Sequence, residues 1–339
     1  MFAEQFPAAG TNGFYRHVAG LTLSTLGLST YLGPADAATD VAYEQAALLS
    51  LRCGINVLDT SINYREQRSE RALKGALRTL INSNELQRDQ VFVATKAGFL
   101  TPGAIPDWLK EDDAAGGLHS MHPDFIEDQL NRSRENLDLD TIDLLYLHNP
   151  EAQLNFASLE VVEHRIQLAF ERMEKLSSGR TIRWYGVATR EGFTTAGRLG
   201  LETMLGLAQY VGGEEHHFRF IRMPFNLTAI DAYLQRDDQG VSLLKMAERA
   251  GITVIASAPL RPLLQDDKLM ELPRVIRNRI PGLSSDAARA IQLARSTPGI
   301  SIALAGMSSV EHVREDLEIA GAPPMGAPDY EKLYRPVDA

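Results

Sequence analysis

Four side chains carry the chemistry this sequence offers: Asp59, Tyr64, Lys96 and His148. Three of them end short apolar runs: residues 55–58 lead into Asp59, 91–95 into Lys96 and 142–147 into His148. The polar turn after Asp59 carries Tyr64. A carboxylate at the tip of a buried strand must find a partner or become neutral, and Lys96 is a candidate. An ammonium beside a buried tyrosine favours the phenolate electrostatically. The phenol then becomes a workable proton donor near neutral pH, which a free phenol, with a pKa of about 10, is not. A histidine alongside can hydrogen-bond a carbonyl and orient it. The set suits protonation of an oxygen as hydride arrives at the neighbouring carbon. No protein side chain supplies hydride, so a nicotinamide cofactor is implied.

Such convergence needs parallel strands that end on one face. Strand-like runs are expected at 21–29, 55–58, 91–95, 142–147, 184–188, 218–223, 253–257 and 300–304. Helical patterns follow them at 39–51, 69–80, 123–137, 159–177, 201–211, 241–250, 285–296 and 310–320. Regular strand–helix alternation implies a parallel sheet with right-handed crossovers. Eight units fit a (β/α)8 TIM barrel with its active site at the C-terminal ends of the strands. An open doubly wound sheet would want a G-x-G-x-x-G turn after an early strand, and the turn after Leu28 lacks it. The expectation is one domain over 1–339. Residues 1–20 are an arm or a cap on the barrel bottom, 97–122 a long active-site loop, and 323–339 a tail.

Composition narrows the classes. The hydrophobic content of 44% and charged content of 23% are those of a soluble globular protein. A net charge of -10 argues against a nucleic-acid partner. The single cysteine, Cys53, forbids an internal disulfide and points to a reducing compartment; it reads as a small packed apolar residue rather than a reactive thiol. Residues 1–13 lack the pattern of a signal peptide, and no run reaches the length of a membrane span, so the expected location is cytoplasmic. His119 with His122, and His216 with His217 beside Glu214 and Glu215, lack metal-ligand spacing and read as solvated loops. Trp184 reads as strand packing. Trp108 reads equally as pocket lining or flank cover.

The stretches G54-INVLDTSINY-64 with Ser69-Glu70, ATKAG at 94–98, IDLLYLH at 142–148, GVAT at 186–189, PFN at 224–226 and GMSSVEH at 306–312 followed by Glu315-Asp316 resemble the aldo-keto reductases, in that family's order and over nearly the whole chain. The resemblance implies a TIM barrel that binds NADP(H), with NAD(H) as the alternative, and Tyr64 as proton donor to a small carbonyl substrate. It further implies cofactor contacts at Thr189, Arg190, Arg222, Ser257, Leu260, Arg261, Gly306, Met307, Ser308, Ser309, His312, Glu315 and Asp316. Three of these depart from the family pattern. Ala188-Thr189 stands where Ser-Asn usually holds the nicotinamide amide, Arg222 where a glutamine does, and Ser257 where a tyrosine stacks on the ring. Those departures motivate a second reading, a non-enzymatic NADP(H)-sensing regulatory subunit on the same barrel. A metal-dependent barrel enzyme using His148 is the third.

Overall fold

The computed structural model describes residues 2–191, 193, 199–260, 264–265, 268–269 and 271–334. Chain order runs α1 (Pro7–Thr11), β1 (Tyr15–Val18), β2 (Leu21–Ser24), β3 (Leu26–Ser29), α2 (Ala37–Arg52), β4 (Val57–Asp59), α3 (Arg68–Asn82) and β5 (Phe92–Ala97). Then come α4 (Pro123–Leu137), β6 (Ile142–His148), α5 (Leu159–Ser178), β7 (Ile182–Ala188), α6 (Leu201–Gly212), β8 (Phe218–Pro224), α7 (Asp231–Leu234), α8 (Leu243–Arg249) and β9 (Thr253–Ser257). The short strands β10 (Leu264–Gln265) and β11 (Lys268–Leu269) precede α9 (Arg274–Arg279), α10 (Asp286–Ser296), β12 (Ile300–Ala305), α11 (Val310–Asp316) and α12 (Ala327–Lys332). Strands β3 to β9 and β12 close into a parallel barrel, with β12 pairing β3 and β9. This is the expected (β/α)8 fold.

Half of the described α-helices start at a side chain that satisfies a free amide of the first turn. Asp36 accepts from Thr39 N at 2.8 Å and so begins α2 ahead of the expected Thr39 start. Ser285 caps α10 in the same way, and Pro123 fills the first turn of α4. Gly54, at φ 97°, turns the chain out of α2 in a left-handed conformation suited to glycine.

Side chains alternate along a strand, so alternate residues share the barrel interior. Val57, Phe92, Ala94, Leu144, Tyr146, Ala188, Phe220, Ile255, Ile302 and Leu304 form one inner cluster. Asp59, Lys96, His148, Arg222 and Ser257 continue those inward rows toward the C-terminal ends. A second, larger cluster fills the space between barrel and helices. Trp184 packs against Phe92 and Phe220, with ring centroids 6.4 and 5.9 Å away, as the strand-packing reading expects.

Several elements differ from the sequence reading. Residues 21–29 are two strands. β2 pairs antiparallel with β1, and only β3 enters the barrel. This hairpin covers the end from which the strands start: Val18 and Leu23 join the inner cluster, and Asn56, just before β4, bonds Ser24 N and Thr22 O. The pattern at 310–320 is α-helical only through Asp316 and continues as a 3-10 turn to Gly321. The described part of the tail is anchored. Tyr330 is buried and accepts from Thr297 Oγ1 at 2.6 Å, beside the start of β12. It thus packs away from the barrel mouth. Among the described residues, no helix is long and apolar enough to cross a membrane.

Candidate active site

The strand ends bring Asp59, Tyr64, Lys96 and His148 to one mouth. Register sets Asp59 beside Ala94, Lys96 beside Tyr146 and His148 beside Ala188. Lys96 Nζ donates to Asp59 Oδ1 at 2.8 Å and to the Thr60 carbonyl at 2.5 Å, with no exposure of the lysine side chain. The ammonium lies 4.5 Å from the centroid of the Tyr64 ring. The His148 ring meets that of Tyr64 edge-on at 6.0 Å. Tyr31 closes on Tyr64 at 5.1 Å, and Phe99 on His148 at 5.0 Å.

Electrostatics at the mouth are dominated by burial. Burial, then Lys96, Arg222 and His119, hold His148 well below its ordinary range, so its ring is neutral at physiological pH. Burial pushes the Tyr146 phenol well up and leaves its hydroxyl without a partner. Glu70, under Lys96, is raised by burial and accepts from Thr95 Oγ1 at 2.6 Å and Asn136 Nδ2 at 2.8 Å. Arg222 Nε approaches Asp59 Oδ1 to 3.6 Å. Two cations therefore share one carboxylate oxygen, while Asp59 Oδ2 is buried without a hydrogen bond.

Sequence reasoning missed two supports. His119 is buried rather than solvated. Its Nδ1 accepts from Gln153 Nε2 at 3.0 Å, so Nε2 carries the proton that it donates to the His148 carbonyl at 2.6 Å. Arg165 bonds Gln153 Oε1 at 2.7 Å and fixes that amide's orientation. His217 and His216 are likewise engaged, with Glu174 and Arg219. Among the described residues, no three His, Cys, Asp or Glu side chains converge as a metal site would require. The second support is Arg65, next to Tyr64. It donates to the carbonyls of Pro34 and Asp36 at 2.7 and 3.0 Å and to Asp40 Oδ1 at 2.6 Å. No sequence signal marked it beyond its place after the tyrosine. Trp108 is half-exposed and leans on the His122 ring at 5.8 Å.

The aldo/keto reductase family model matches residues 25–275. The chain belongs to the aldo/keto reductase family. Among curated proteins it is similar to an uncharacterized oxidoreductase, YqkF, of Bacillus subtilis, at 22% identity over 80% of each chain. It is also similar to a D-threo-aldose 1-dehydrogenase of a Pseudomonas species, at 31% identity over 40% of each chain. Two solved structures share the fold. One is the holo form of the aldo-keto reductase AKR11C1 from Bacillus halodurans, with TM-score 0.64, 19% identity and coverage of 95% of this chain and 96% of that one. The other is an aldo-keto reductase from Klebsiella pneumoniae in complex with NADPH, with TM-score 0.63, 21% identity and coverage of 96% and 97%.

In this aldo/keto reductase, the residues that the resemblance assigned to the cofactor spread along the rims of β7, β8, β9 and β12. Thr189 is buried, and its amide donates to the Arg222 carbonyl at 2.8 Å. Arg190 is exposed, and its amide donates to Glu151 Oε1 at 2.7 Å. Glu151, which sequence reasoning passed over, is raised by burial, and its Oε2 lacks a partner. Ser257 ends β9, and Leu260 packs against the core. Arg261 lies outside the described residues. Met307 is buried behind Gly306, where an added Cβ would come within 2.8 Å of Leu32. Ser309 caps α11 by accepting from His312 N at 3.3 Å, and Ser308 Oγ lies 3.4 Å from His312 Nδ1. His312 is exposed, Glu315 is half-buried, and burial raises the Asp316 carboxyl to about 8. Arg222 turns its guanidinium toward Asp59, with Nε 3.6 Å from Oδ1.

Proposed function

We propose that this chain is an NADP(H)-dependent carbonyl reductase, with Tyr64 giving the proton and with alcohol oxidation as the reverse reaction. The observation that carries the reading is the buried ammonium of Lys96, fixed by Asp59 at 2.8 Å and lying 4.5 Å from the Tyr64 ring. The rim residues fit the cofactor at its nicotinamide end. Glu151 Oε2 is a buried polar atom without a partner, beside the Thr189-Arg190 backbone, and suits a carboxamide. Thr189, Glu151 and Ser257 would hold that end, and Ser308, Ser309 and His312 the phosphate end. When bound, the cofactor supplies or accepts hydride.

The chain's own residues handle the proton and the oxygen. Tyr64 gives its hydroxyl proton to the substrate oxygen, becoming a phenolate that is later reprotonated from water. Lys96 stabilises that phenolate, and Asp59 keeps the ammonium charged and in place. His148, neutral, offers a hydrogen bond to the substrate oxygen without adding charge. Tyr31 and Phe99 flank the two polar rings.

Replacing Tyr64 with Phe should lower turnover on a good aldehyde by roughly 10²- to 10⁴-fold, the usual worth of a positioned proton donor. NADPH affinity, read from quenching of protein fluorescence, should stay near that of the wild type. Full turnover in Tyr64→Phe would show that the proton comes from elsewhere. The departures at Ala188, Arg222 and Ser257 keep the regulatory-subunit reading in view. It predicts tight NADP(H) binding with no turnover on a broad panel of aldehydes, ketones and sugars, so one absorbance screen separates the two.

A further inference from the structure

Arg222 occupies the inward row of β8 at the level where Asp59, Lys96 and His148 meet. Its neighbours in register are Ala188 and Ile255, both small or apolar, so the guanidinium finds its polar partners across the barrel. Its Nε lies 3.6 Å from Asp59 Oδ1, on the oxygen that Lys96 also uses, and makes no hydrogen bond of its own. The guanidinium also lies within hydrogen-bonding reach of Tyr64, and the nearby Tyr64 and Asp59 keep it firmly charged despite burial.

At this mouth two cations meet one carboxylate while Tyr64 is a phenol. Lys96 and Arg222 are positive, and Asp59 is the carboxylate they share. Of the other groups facing the tyrosine, several carry no charge at neutral pH. His148 and His119 are held neutral by burial, and Tyr146 is held protonated. Burial also pushes Tyr43 up to about 12. Tyr31 presents a phenol ring, and burial raises the Glu70 carboxyl against the lowering by its hydrogen bonds to Thr95 and Asn136 and by Lys96. Arg65 pairs with Asp40, which also takes the partly exposed Arg68. Two cations therefore share the one carboxylate of Asp59, and an anion formed at Tyr64 or on the substrate oxygen offsets the second.

We propose that Arg222 is a catalytic residue: its guanidinium stabilises the phenolate that Tyr64 becomes on giving up its proton, rather than holding the nicotinamide amide. This rests on the reading of Tyr64 as proton donor. In the reduction direction the phenolic O–H breaks, its proton joins the substrate oxygen, and the negative charge left on Tyr64 lies between Lys96 and Arg222. In the oxidation direction the same phenolate takes the alcohol's proton. A glutamine at this place could donate a hydrogen bond but could not cancel the charge.

The test compares Arg222→Gln with the wild type in two readouts. The first is the tyrosinate absorbance of the cofactor-free protein against pH, with the matching Tyr64→Phe variant subtracted to isolate the Tyr64 signal. The second is the pH profile of alcohol oxidation. Both should move toward higher pH by about 1 to 3 units, the usual effect of removing an opposite charge a few ångströms away. NADPH affinity should change little. Arg222→Lys keeps a positive charge and should stay closer to the wild type in both readouts. Should glutamine fail to fold, Arg222→Met fills the space without charge and gives the same reading. A weakened NADPH affinity with an unmoved tyrosinate titration would make Arg222 a cofactor contact and overturn the proposal. Equal displacement in the lysine and neutral variants would make its role steric and would overturn it as well. If instead Tyr64→Phe keeps full turnover, the proton-donor reading itself fails.

Discussion

Asp59 is the residue on which the site's electrostatics turn. Lys96 has no exposed surface and Arg222 is nearly covered, so both depend on this carboxylate for compensation. Removing one partner of a buried ion pair leaves an uncompensated charge and costs about 3–5 kcal/mol, whereas removing both is far milder. Asp59→Asn should therefore lower the unfolding free energy in urea by about 3–5 kcal/mol. Asp59→Asn combined with Lys96→Met should recover most of that loss without recovering turnover. Equal instability of the single and double variants would mean that the pair is not what holds this end of the barrel. Asp59, Lys96 and His148 were legible in the sequence because each ends an apolar run, and a strand tip is where such a run must meet solvent or a site; Tyr64 was legible from the polar turn that follows Asp59. Arg222 was legible as an oddity but not as a partner of Asp59, because side-chain reach across a barrel leaves no trace in local spacing. His119 was misread for a related reason. Flanked by Leu118 and Ser120 in a long loop, it resembles a surface residue, yet the loop folds it under the His148 carbonyl.

At the scale of elements, alternation of apolar runs with helical periodicity was enough for the barrel, because each strand is buried on both faces and each helix on one. It failed at 21–29, where two strands of different pairing adjoin without a glycine or proline between them. It also gave no hint of the turn after Tyr64. There Arg65, Glu66 and Gln67 all have left-handed backbone, at φ 50°, 55° and 70°, just before α3. A left-handed conformation costs a residue with a Cβ roughly 1–2 kcal/mol, so three in a row need outside support. Arg65 supplies it by tying the turn to Pro34, Asp36 and Asp40. Arg65→Ala keeps the strain and loses the tie, while Arg65→Gly loses both. Chemical denaturation should find Arg65→Ala the less stable of the two by about 1 kcal/mol, since relief of strain outweighs glycine's greater freedom when unfolded. Both should turn over more slowly than the wild type, because Tyr64 begins the turn. A glycine variant less stable than the alanine one would remove strain from the account.

For the molecule as a whole, buried titratable groups make stability a two-sided function of pH. His119 is lowered by burial from 6.5 to about 4. Between those values the unfolded chain binds a proton that the folded one refuses, so stability falls as pH drops from about 6.5 toward 4. The full effect is on the order of 3 kcal/mol for a displacement of this size. His148, depressed in the same direction, adds to that acid limb. Asp316 works the other way. Burial and then Glu315 raise it from 3.8 to about 8, so the folded chain keeps a proton that the unfolded one has released. Its contribution is present below about 3.8 and is lost as pH rises toward 8. Of the contacts that hold the described tail and the β1–β2 hairpin at the far end of the barrel, Thr297–Tyr330 and Asn56–Ser24 are neutral and add little slope of their own. Urea denaturation of the cofactor-free protein from pH 4 to 9 should therefore give a dome. Asp316→Asn should flatten the alkaline side and gain several kcal/mol at pH 8, on the order of 1.4 kcal/mol for each pH unit that separates the folded from the unfolded carboxyl, and nothing at the acid end. His119→Gln keeps a donor for the His148 carbonyl and should flatten the acid side alone. An Asp316→Asn curve parallel to the wild type's would mean that this carboxyl ionises in the folded chain as freely as in water, and that the buried acid does not set the alkaline limit.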